Sequence, residues 1–263
     1  METPSLFDTH CHLDDPPFAK NLTAELETAR SAGVGGWVIP GVRRPGWPGI
    51  LALASRIPNV WAAPGLHPMV AETWDEEAAA ALAGLLAAPR VVAVGEIGLD
   101  RLLPAPEAVQ GRAFRDQLRL AIDAGKPVLL HCRRANARML SILREEGAQR
   151  VGGIWHSFSG SLETALEAIG LGFAIAANGV LTWAGARRTP AVVRAVPPEW
   201  LVLETDAPDV APEGERGMPS HPGYLPRVAA EVSRLRGWSF AETARLTTGN
   251  ARRVLRLPEE EEP

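Results

Sequence analysis

The sequence predicts an α/β fold, a (β/α)8 TIM barrel, from three observations. Short apolar runs of the kind that form buried strands alternate along the chain with amphipathic helical stretches. Eight such runs occur, and eight parallel strands close a barrel. Histidine and acidic side chains stand where several of these runs end, and in such barrels the carboxyl ends of the strands form the active face.

The strands are expected, in order, at about residues 5–9, 36–40, 59–64, 90–95, 127–131, 151–156, 172–177 and 200–205. Helical patterns are clearest at residues 22–32, 76–87, 107–124 and 162–169, and a final helical pair at about 224–236 and 240–255 should pack outside the barrel. The Pro- and Gly-rich segment 207–222 is predicted to be an ordered loop over the active face. Because barrels often use this length for a single domain, we expect one domain over residues 1–263, ending in a solvated acidic run at 259–262.

Charge and cysteine content limit the classes of function. The formal net charge is -4 and the pI is about 5.9, so no general positive field attracts nucleic acid. Binding of a polyanion must therefore rely on a local cationic cluster or on a metal ion.

The two cysteines, Cys11 and Cys132, each lie beside a candidate ligand, and a structural disulfide is not expected. With no secretory leader pattern and no run near the ~20 apolar residues of a membrane span, we expect a cytoplasmic protein without a membrane partner.

Candidate metal ligands are the strongest functional signal. His10 and His12 are two residues apart on the first strand, so their side chains point to the same face. Four further candidates stand where later apolar runs end: Glu96, His131, His156 and Asp206. A single histidine beside a strand is more often structural, but their joint placement predicts a metal site.

Six candidate ligands are too many for one catalytic ion that keeps an open position, and they fit two ions that share a bridge. Glu96 is the best bridging candidate because a carboxylate offers two oxygens. A carboxylated lysine is the alternative bridge. Neither Lys20, in the loop before the first helix, nor Lys126, at the start of its strand, is placed for that role.

Seven motifs, in order, give the chain a family resemblance. They are Asp8-Thr9-His10-Cys11-His12-Leu13-Asp14, Gly65-Leu66-His67-Pro68, Gly95-Glu96-Ile97-Gly98-Leu99-Asp100, His131-Cys132-Arg133, His156-Ser157-Phe158-Ser159-Gly160, Glu204-Thr205-Asp206-Ala207-Pro208 and Thr248-Gly249-Asn250-Ala251-Arg252. With these motifs the chain resembles, over essentially its whole length, the TatD family of metal-dependent deoxyribonucleases in the amidohydrolase superfamily.

The resemblance implies a ligand set and a reaction. It implies that one ion is held by His10, His12 and Asp206, the other by His131 and His156, and that Glu96 bridges them. It also implies removal of nucleotides from DNA, at single-stranded or 3′ ends, with two divalent ions, magnesium for activity and zinc or manganese as alternatives. Two ions polarise the phosphoryl oxygens and activate the attacking water, with Glu96 and Asp206 as the catalytic residues. Asp206 could orient that water and accept its proton.

Three positions depart from the commonest family pattern. Arg101 stands where an aromatic residue is frequent, Arg134 where an acidic residue often follows, and Ser157 where cysteine is common. Together with the segment 204–219, the Arg133-Arg134 pair looks more like the YjjV branch of the family, which is tied less firmly to DNA degradation.

Further side chains on the predicted active face have two interpretations each. His67 contacts substrate phosphate or an ion-bound water, or it only shapes the turn before Pro68. Glu204 shares a strand face with Asp206 and hydrogen-bonds a ligand histidine, or it is an ordinary polar cap. The loop arginines, Arg101 and Arg134 among them, hold a phosphate backbone or are simply solvated. Trp47, Trp74 and Trp183 also have two interpretations: they stack on bases of the substrate, or they cover the core of the barrel.

Three functions are compatible with these residues. The first is a nuclease acting on DNA ends. The second is a binuclear metal hydrolase of another small phosphoester, ester or amide. The third is a non-catalytic binding component, against which the complete ligand set argues. The sequence does not indicate the oligomeric state.

Overall fold

Eight parallel strands surround the centre of the computed structural model, which describes residues 5–258. They are β1 (Leu6–Asp8), β2 (Val34–Pro40), β3 (Val60–Ala63), β4 (Val94–Asp100), β5 (Val128–Arg133), β6 (Gly153–Trp155), β7 (Phe173–Ala177) and β8 (Leu201–Leu203). Strands β1 to β3 form one hydrogen-bonded ladder and β4 to β8 form another, each in sequence order.

Hydrogen bonds across both seams join the two ladders. Between β3 and β4, the Val92 amide donates to the carbonyl of Ala62 at 3.0 Å. Between β8 and β1, the Thr9 amide donates to the carbonyl of Leu203 at 3.0 Å, and the Asp206 amide donates to the carbonyl of His10 at 2.9 Å. The predicted (β/α)8 barrel is therefore confirmed.

Ten α-helices lie between residues 5 and 258 and follow the strands. They are α1 (Pro16–Ala19), α2 (Leu22–Ser31), α3 (Trp47–Arg56), α4 (Glu76–Leu85), α5 (Glu107–Asp123), α6 (Asn136–Glu146), α7 (Leu162–Gly170), α8 (Arg188–Ala195), α9 (Leu225–Arg236) and α10 (Phe240–Val254). Polar caps fix several starts; Asp75, for example, accepts the Ala78 amide at 2.7 Å before α4. Every helix with a clear amphipathic pattern in the sequence is present, within one or two residues at each end.

The fourth strand begins later than its apolar run predicts. The run covers residues 90–95, but β4 spans Val94–Asp100, and Val91 makes only an isolated bridge to Ala62. The Glu96 amide donates a hydrogen bond to the carbonyl of Gly41 at 2.9 Å. This bond replaces one to β5, so the hydrogen-bond ladder between β4 and β5 is interrupted between Val94 and Ile97. Glu96 therefore lies inside its strand, not after the strand's end as the sequence suggested.

Helix α10 does more than pack outside the barrel. Its last turn contributes Ala251, Val254 and the following Leu255 to the cluster of apolar side chains that fills the barrel, among them Phe7 and Leu129. This turn covers the end of the barrel where the strands begin. The opposite face, where the strands end, is left for function.

The segment 207–222 is an ordered loop on that face, as predicted. Its ends approach one another, since the Ser220 amide donates to the carbonyl of Pro208 at 2.7 Å. It is also tied to the loop after β7 by a hydrogen bond from the Glu213 amide to Thr182 Oγ1 at 2.7 Å.

The predicted acidic tail 259–262 lies outside the described residues. None of the helices between residues 5 and 258 has the length and apolar character needed to cross a lipid bilayer.

Candidate metal centre

The structure brings all six predicted metal ligands together at the carboxyl end of the barrel. They come from five strands or the residues directly after them: His10, His12, Glu96, His131, His156 and Asp206. His10 is fully buried, and Glu96 and His156 are no more than 5% exposed. Such a density of titratable groups in a buried site requires a compensating charge or proton.

Glu96 lies at the middle of the cluster. Its Oε1 is 2.6 Å from His131 Nδ1 and 3.3 Å from His156 Nε2. Its Oε2 faces the other way and is 3.4 Å from His10 Nε2. The two oxygens of one carboxylate thus face two different sets of histidines.

Asp206 links the same two sets from the other side. Its Oδ1 is 3.8 Å from His10 Nε2 and 3.9 Å from His12 Nε2, and its Oδ2 is 3.8 Å from His156 Nε2. The ligand atoms form three groups compact enough to hold an ion: His10, His12 and Asp206; His10, Glu96 and His156; and His67, Glu96 and His131. Because the groups overlap at His10 and Glu96, two neighbouring ions would share ligands.

The chemistry of His10 fits a metal ligand. Both of its ring nitrogens are buried and have no hydrogen-bond partner. Burial, together with nearby His156, lowers the pKa of His10 to about 4, so its ring is neutral and offers a free lone pair. An unpartnered buried nitrogen is costly, and a coordinated cation removes that cost.

Protons balance the charge in the ion-free protein. Burial disfavours the charged forms of His131 and His156, but neighbouring carboxylates outweigh it and raise their pKa values to about 9 and about 10. Burial also raises the pKa of Asp206 well above its usual range, whereas the surrounding histidines hold the pKa of Glu96 well below its own despite burial. A metal ion would replace these protons.

Glu204 lies behind His156, on the side away from Glu96. Its side chain is fully buried, and its Oε2 is 3.3 Å from His156 Nδ1. Its Oε1 accepts the Ser157 amide at 2.7 Å and the Asn178 side-chain amide at 3.3 Å. The two atoms lie at ion-pair distance without hydrogen-bond geometry, so the hydrogen bond from Glu204 to a ligand histidine stays a prediction.

Two aspartates support the ligands in ways that sequence reasoning missed. Asp100 Oδ2 is 3.2 Å from His131 Nε2, on the far side of that ring from Glu96. Asp8 accepts hydrogen bonds from the amide and the hydroxyl of Thr205, at 2.9 and 2.5 Å, and so ties β1 to the residue before Asp206. Both aspartates belong to motifs that carry the family resemblance, and this membership was the signal that could have identified them.

His67 reaches the centre as a hydrogen-bond donor. Its Nδ1 accepts the Met69 amide at 3.0 Å, and burial lowers its pKa to about 3, so the single ring proton sits on Nε2. That nitrogen is 3.9 Å from Glu96 Oε1. His67 therefore shapes the turn before Pro68 and also presents an N–H to the centre, and its contact with substrate phosphate or an ion-bound water stays a prediction.

Two clefts open onto the centre. The large cleft, of about 1070 Å³, is bounded by the loops after β6, β7 and β8, and the small cleft, of about 550 Å³, by the loops after β1, β2 and β3. His131, His156 and Asp206 line both, as does Arg133.

The predicted substrate arginines lie elsewhere. Within residues 5–258, neither Arg101 nor Arg134 lines either of these two clefts, and Arg101 Nε donates instead to Glu107 at 3.0 Å. Of the three tryptophans considered for base stacking, Trp47 and Trp74 are buried in the core, and Trp183 lines the large cleft.

Comparison with known proteins identifies the family. The profile of the TatD-related DNase family matches residues 7–256. YabD, a metal-dependent hydrolase of Bacillus subtilis strain 168, is 36% identical over 253 residues, which cover 96% of this chain and 99% of YabD. The 3′-5′ ssDNA/RNA exonuclease TatD of Edwardsiella piscicida is 36% identical over 263 residues, which cover 96% of this chain and all of that protein (100%).

A solved structure agrees with the sequence comparison. The crystal structure of YjjV, a TatD homologue from Escherichia coli K12, matches with a TM-score of 0.92 at 36% identity, covering 96% of this chain and 98% of that one. The chain belongs to the TatD-related DNase family.

Proposed function

We propose that the protein is a deoxyribonuclease that removes nucleotides from single-stranded 3′ ends with the help of two divalent ions. The observation that carries the proposal is the orientation of Glu96, whose two oxygens face separate sets of histidines at 2.6 to 3.4 Å. The family and the exonuclease activity named for its Edwardsiella relative support a nucleic acid substrate. Such an activity fits the cytoplasmic location expected from the sequence.

The residues divide between two ion positions. His10, His12 and Asp206 would hold one ion, His131 and His156 the other, and Glu96 both. Divalent ions there supply Lewis-acid polarisation of the phosphoryl group and lower the pKa of water. Mixed oxygen and imidazole ligands suit manganese or zinc as well as magnesium.

The chain's own side chains supply the rest of the chemistry. Asp206 faces His10, His12 and His156 at 3.8 to 3.9 Å, so its carboxylate would lie beside water activated at the centre and would accept the proton of that water. The Nε2–H of His67 donates to a phosphoryl oxygen, and Arg133, which borders both clefts, neutralises the phosphate that enters between them.

Digestion of an end-labelled oligonucleotide tests the proposal. A single-stranded oligonucleotide labelled at its 5′ end is incubated with the protein and with magnesium, manganese, cobalt or zinc, with chelator as the control. We expect a ladder of shortened labelled products that requires the metal, and no products from the His10→Ala variant. Absence of cleavage with all four metals would overturn the proposal.

A second function, hydrolysis of a small phosphoester, ester or amide, is favoured by one observation. The small cleft is lined by Asp14, Asp15, Asp100 and Asp209 against the cations Arg43 and Arg133. An excess of carboxylates disfavours a long polyanion and is compatible with a compact substrate. Turnover of small esters in the same assay, without oligonucleotide cleavage, would assign this function instead.

A further inference from the structure

Trp183 and Arg216 form a stacked pair at the wall of the large cleft. The indole Nε1 of Trp183 donates to the carbonyl of Ala211 at 2.9 Å, which ties the loop after β7 to the loop after β8 and fixes the plane of the ring. The guanidinium carbon of Arg216 lies 4.5 Å from the ring centroid. One face of a fixed aromatic ring is thus covered by a cation.

Arg216 is held loosely in this position. Its side chain is 55% exposed, and its contact with Glu213 Oε2 spans 4.0 Å, at the limit of an ion pair. An exposed cation–π contact of this kind contributes only about 0.5–1 kcal/mol. A planar ligand that stacks better than the guanidinium can therefore displace it from the ring.

The large cleft leads from this ring to the candidate metal centre. His131, His156 and Asp206 form its inner end, and Phe158, Val180 and Met218 give it an apolar lining. Its volume of about 1070 Å³ lies slightly above the range of small-molecule pockets, about 300–1,000 Å³. The cleft can accommodate an aromatic group together with a polar group that reaches the metal ligands.

The small cleft differs in character. Within the described part of the chain, aspartates and no Phe, Tyr or Trp ring line it. A nucleobase gains by stacking on an aromatic ring, whereas its phosphate needs the cations at the centre. The two clefts therefore offer different environments on either side of the position where a phosphodiester would be cleaved.

We propose that the large cleft binds the terminal nucleoside and that its base stacks on Trp183 in place of the Arg216 guanidinium. This inference rests on the proposed nuclease function and adds the residue that selects the substrate. A terminal base that enters the cleft alone has to leave its complement, so the subsite favours a single-stranded end over a paired one. It is tolerant of base identity, since every base has a π-face.

The wild-type protein provides the first test, with two oligonucleotides that differ only in the 3′-terminal residue. One ends in an ordinary nucleotide and the other in an abasic nucleotide. Base stacking of about 1–3 kcal/mol corresponds to a roughly 5- to 150-fold higher KM for the abasic end. Equal KM values for the two ends would overturn the inference while the nuclease function stands. Failure to cleave either one would overturn the nuclease function itself.

Variants then assign the effect to the ring. Trp183→Ala should raise KM for the ordinary end by a similar factor and have a much smaller effect on the abasic end, whereas Trp183→Phe should restore most of the difference. An equal loss on both ends with Trp183→Ala would mean that the ring only supports the loops, and would contradict the inference.

The arginine has a matched control at the other end of the barrel. Arg253 lies 5.0 Å over the ring of Trp200, a similar exposed pair that is remote from the clefts. Arg216→Ala should change the ratio of the two KM values, because it uncovers the ring, and Arg253→Ala should leave that ratio unchanged. The same ratio in Arg216→Ala and wild type would count against exchange of the guanidinium for the base.

Discussion

Glu204 is a buried carboxylate that reaches the candidate centre through His156, 3.3 Å away, and does not face Glu96. A group that orients a metal-binding histidine contributes on the order of 10- to 100-fold to metal affinity or rate. Glu204→Gln should therefore lower metal affinity or turnover by this factor without abolishing activity. Titration of the variant with metal measures the effect.

A matched control separates this role from a general loss of charge. Glu231, a half-buried residue of α9 that pairs with the exposed Arg234, can be changed to Gln in the same way and should have no effect on the titration. If Glu204→Gln gives the same titration curve and rate as the wild type, Glu204 is an ordinary polar cap.

His131 and His156 make metal binding depend on pH. Neighbouring carboxylates overcome burial and raise their pKa values to about 9 and about 10, so both carry protons near neutral pH in the ion-free protein. Ions bind neutral imidazole and ionised carboxylate, so binding should release two protons from these histidines and a further one where the raised pKa of Asp206 keeps its carboxyl protonated, and it should strengthen as the pH rises. Calorimetry in buffers of different ionisation enthalpy measures this release, and a buffer-independent enthalpy would contradict it.

The same pKa shifts affect the stability of the ion-free protein. Both values lie above the ordinary 6.5, so the folded state binds these protons more tightly than the unfolded state does. Their contribution to the free energy of unfolding is complete below pH 6.5 and is lost as the pH rises through about 9 to 10. Urea unfolding of chelated protein across this range should show the decrease.

At the scale of elements, Asp8 joins the first and last strands of the barrel. Replacing it with Ala leaves the buried amide and hydroxyl of Thr205 without their acceptor. We expect a loss of about 1–3 kcal/mol in the free energy of unfolding and weaker metal binding, because Asp206 follows directly. Asp123→Ala, at the exposed end of α5, is the control. If Asp8→Ala has the same free energy of unfolding as the wild type, the hydrogen bonds from Thr205 to Asp8 do not stabilise the junction of the first and last strands.

Most elements could be predicted because their signals are local. Apolar runs and helical periodicity indicate strands and helices. Strand alternation predicts that His10 and His12 share a face; both in fact follow β1, which ends at Asp8, and their Nε2 atoms still lie 3.8 and 3.9 Å from Asp206 Oδ1. The boundary of β4 could not be predicted, because the Glu96 amide pairs with Gly41, on another strand's loop. The role of Asp8 was missed for the same reason, since its partner Thr205 is 197 residues away in sequence.

At the scale of the whole molecule, a net charge of -4 makes DNA binding depend on a few arginines. Arg101 and Arg134 are the sequence-based candidates, whereas Arg133 and Arg43 line the clefts. Each arginine that contacts phosphate should, when replaced by Ala, reduce the slope of log affinity against log salt by about 0.7. Salt titrations of DNA binding by the Arg101/Arg134 and Arg43/Arg133 double variants show which pair contacts phosphate. A slope unchanged from the wild type in both variants would mean that none of the four arginines does.

The proposed two-ion centre depends on one carboxylate, Glu96, that joins the two ions. A titration that records bound divalent ions and the rate of oligonucleotide cleavage in the same samples tests this directly. For the wild type we predict two ions per chain and a rate that rises with the second ion. Glu96→Gln should stay folded yet lose turnover, because an amide does not offer two anionic oxygens. Full activity with one ion per chain, or a near-normal rate in Glu96→Gln, would contradict the two-ion centre.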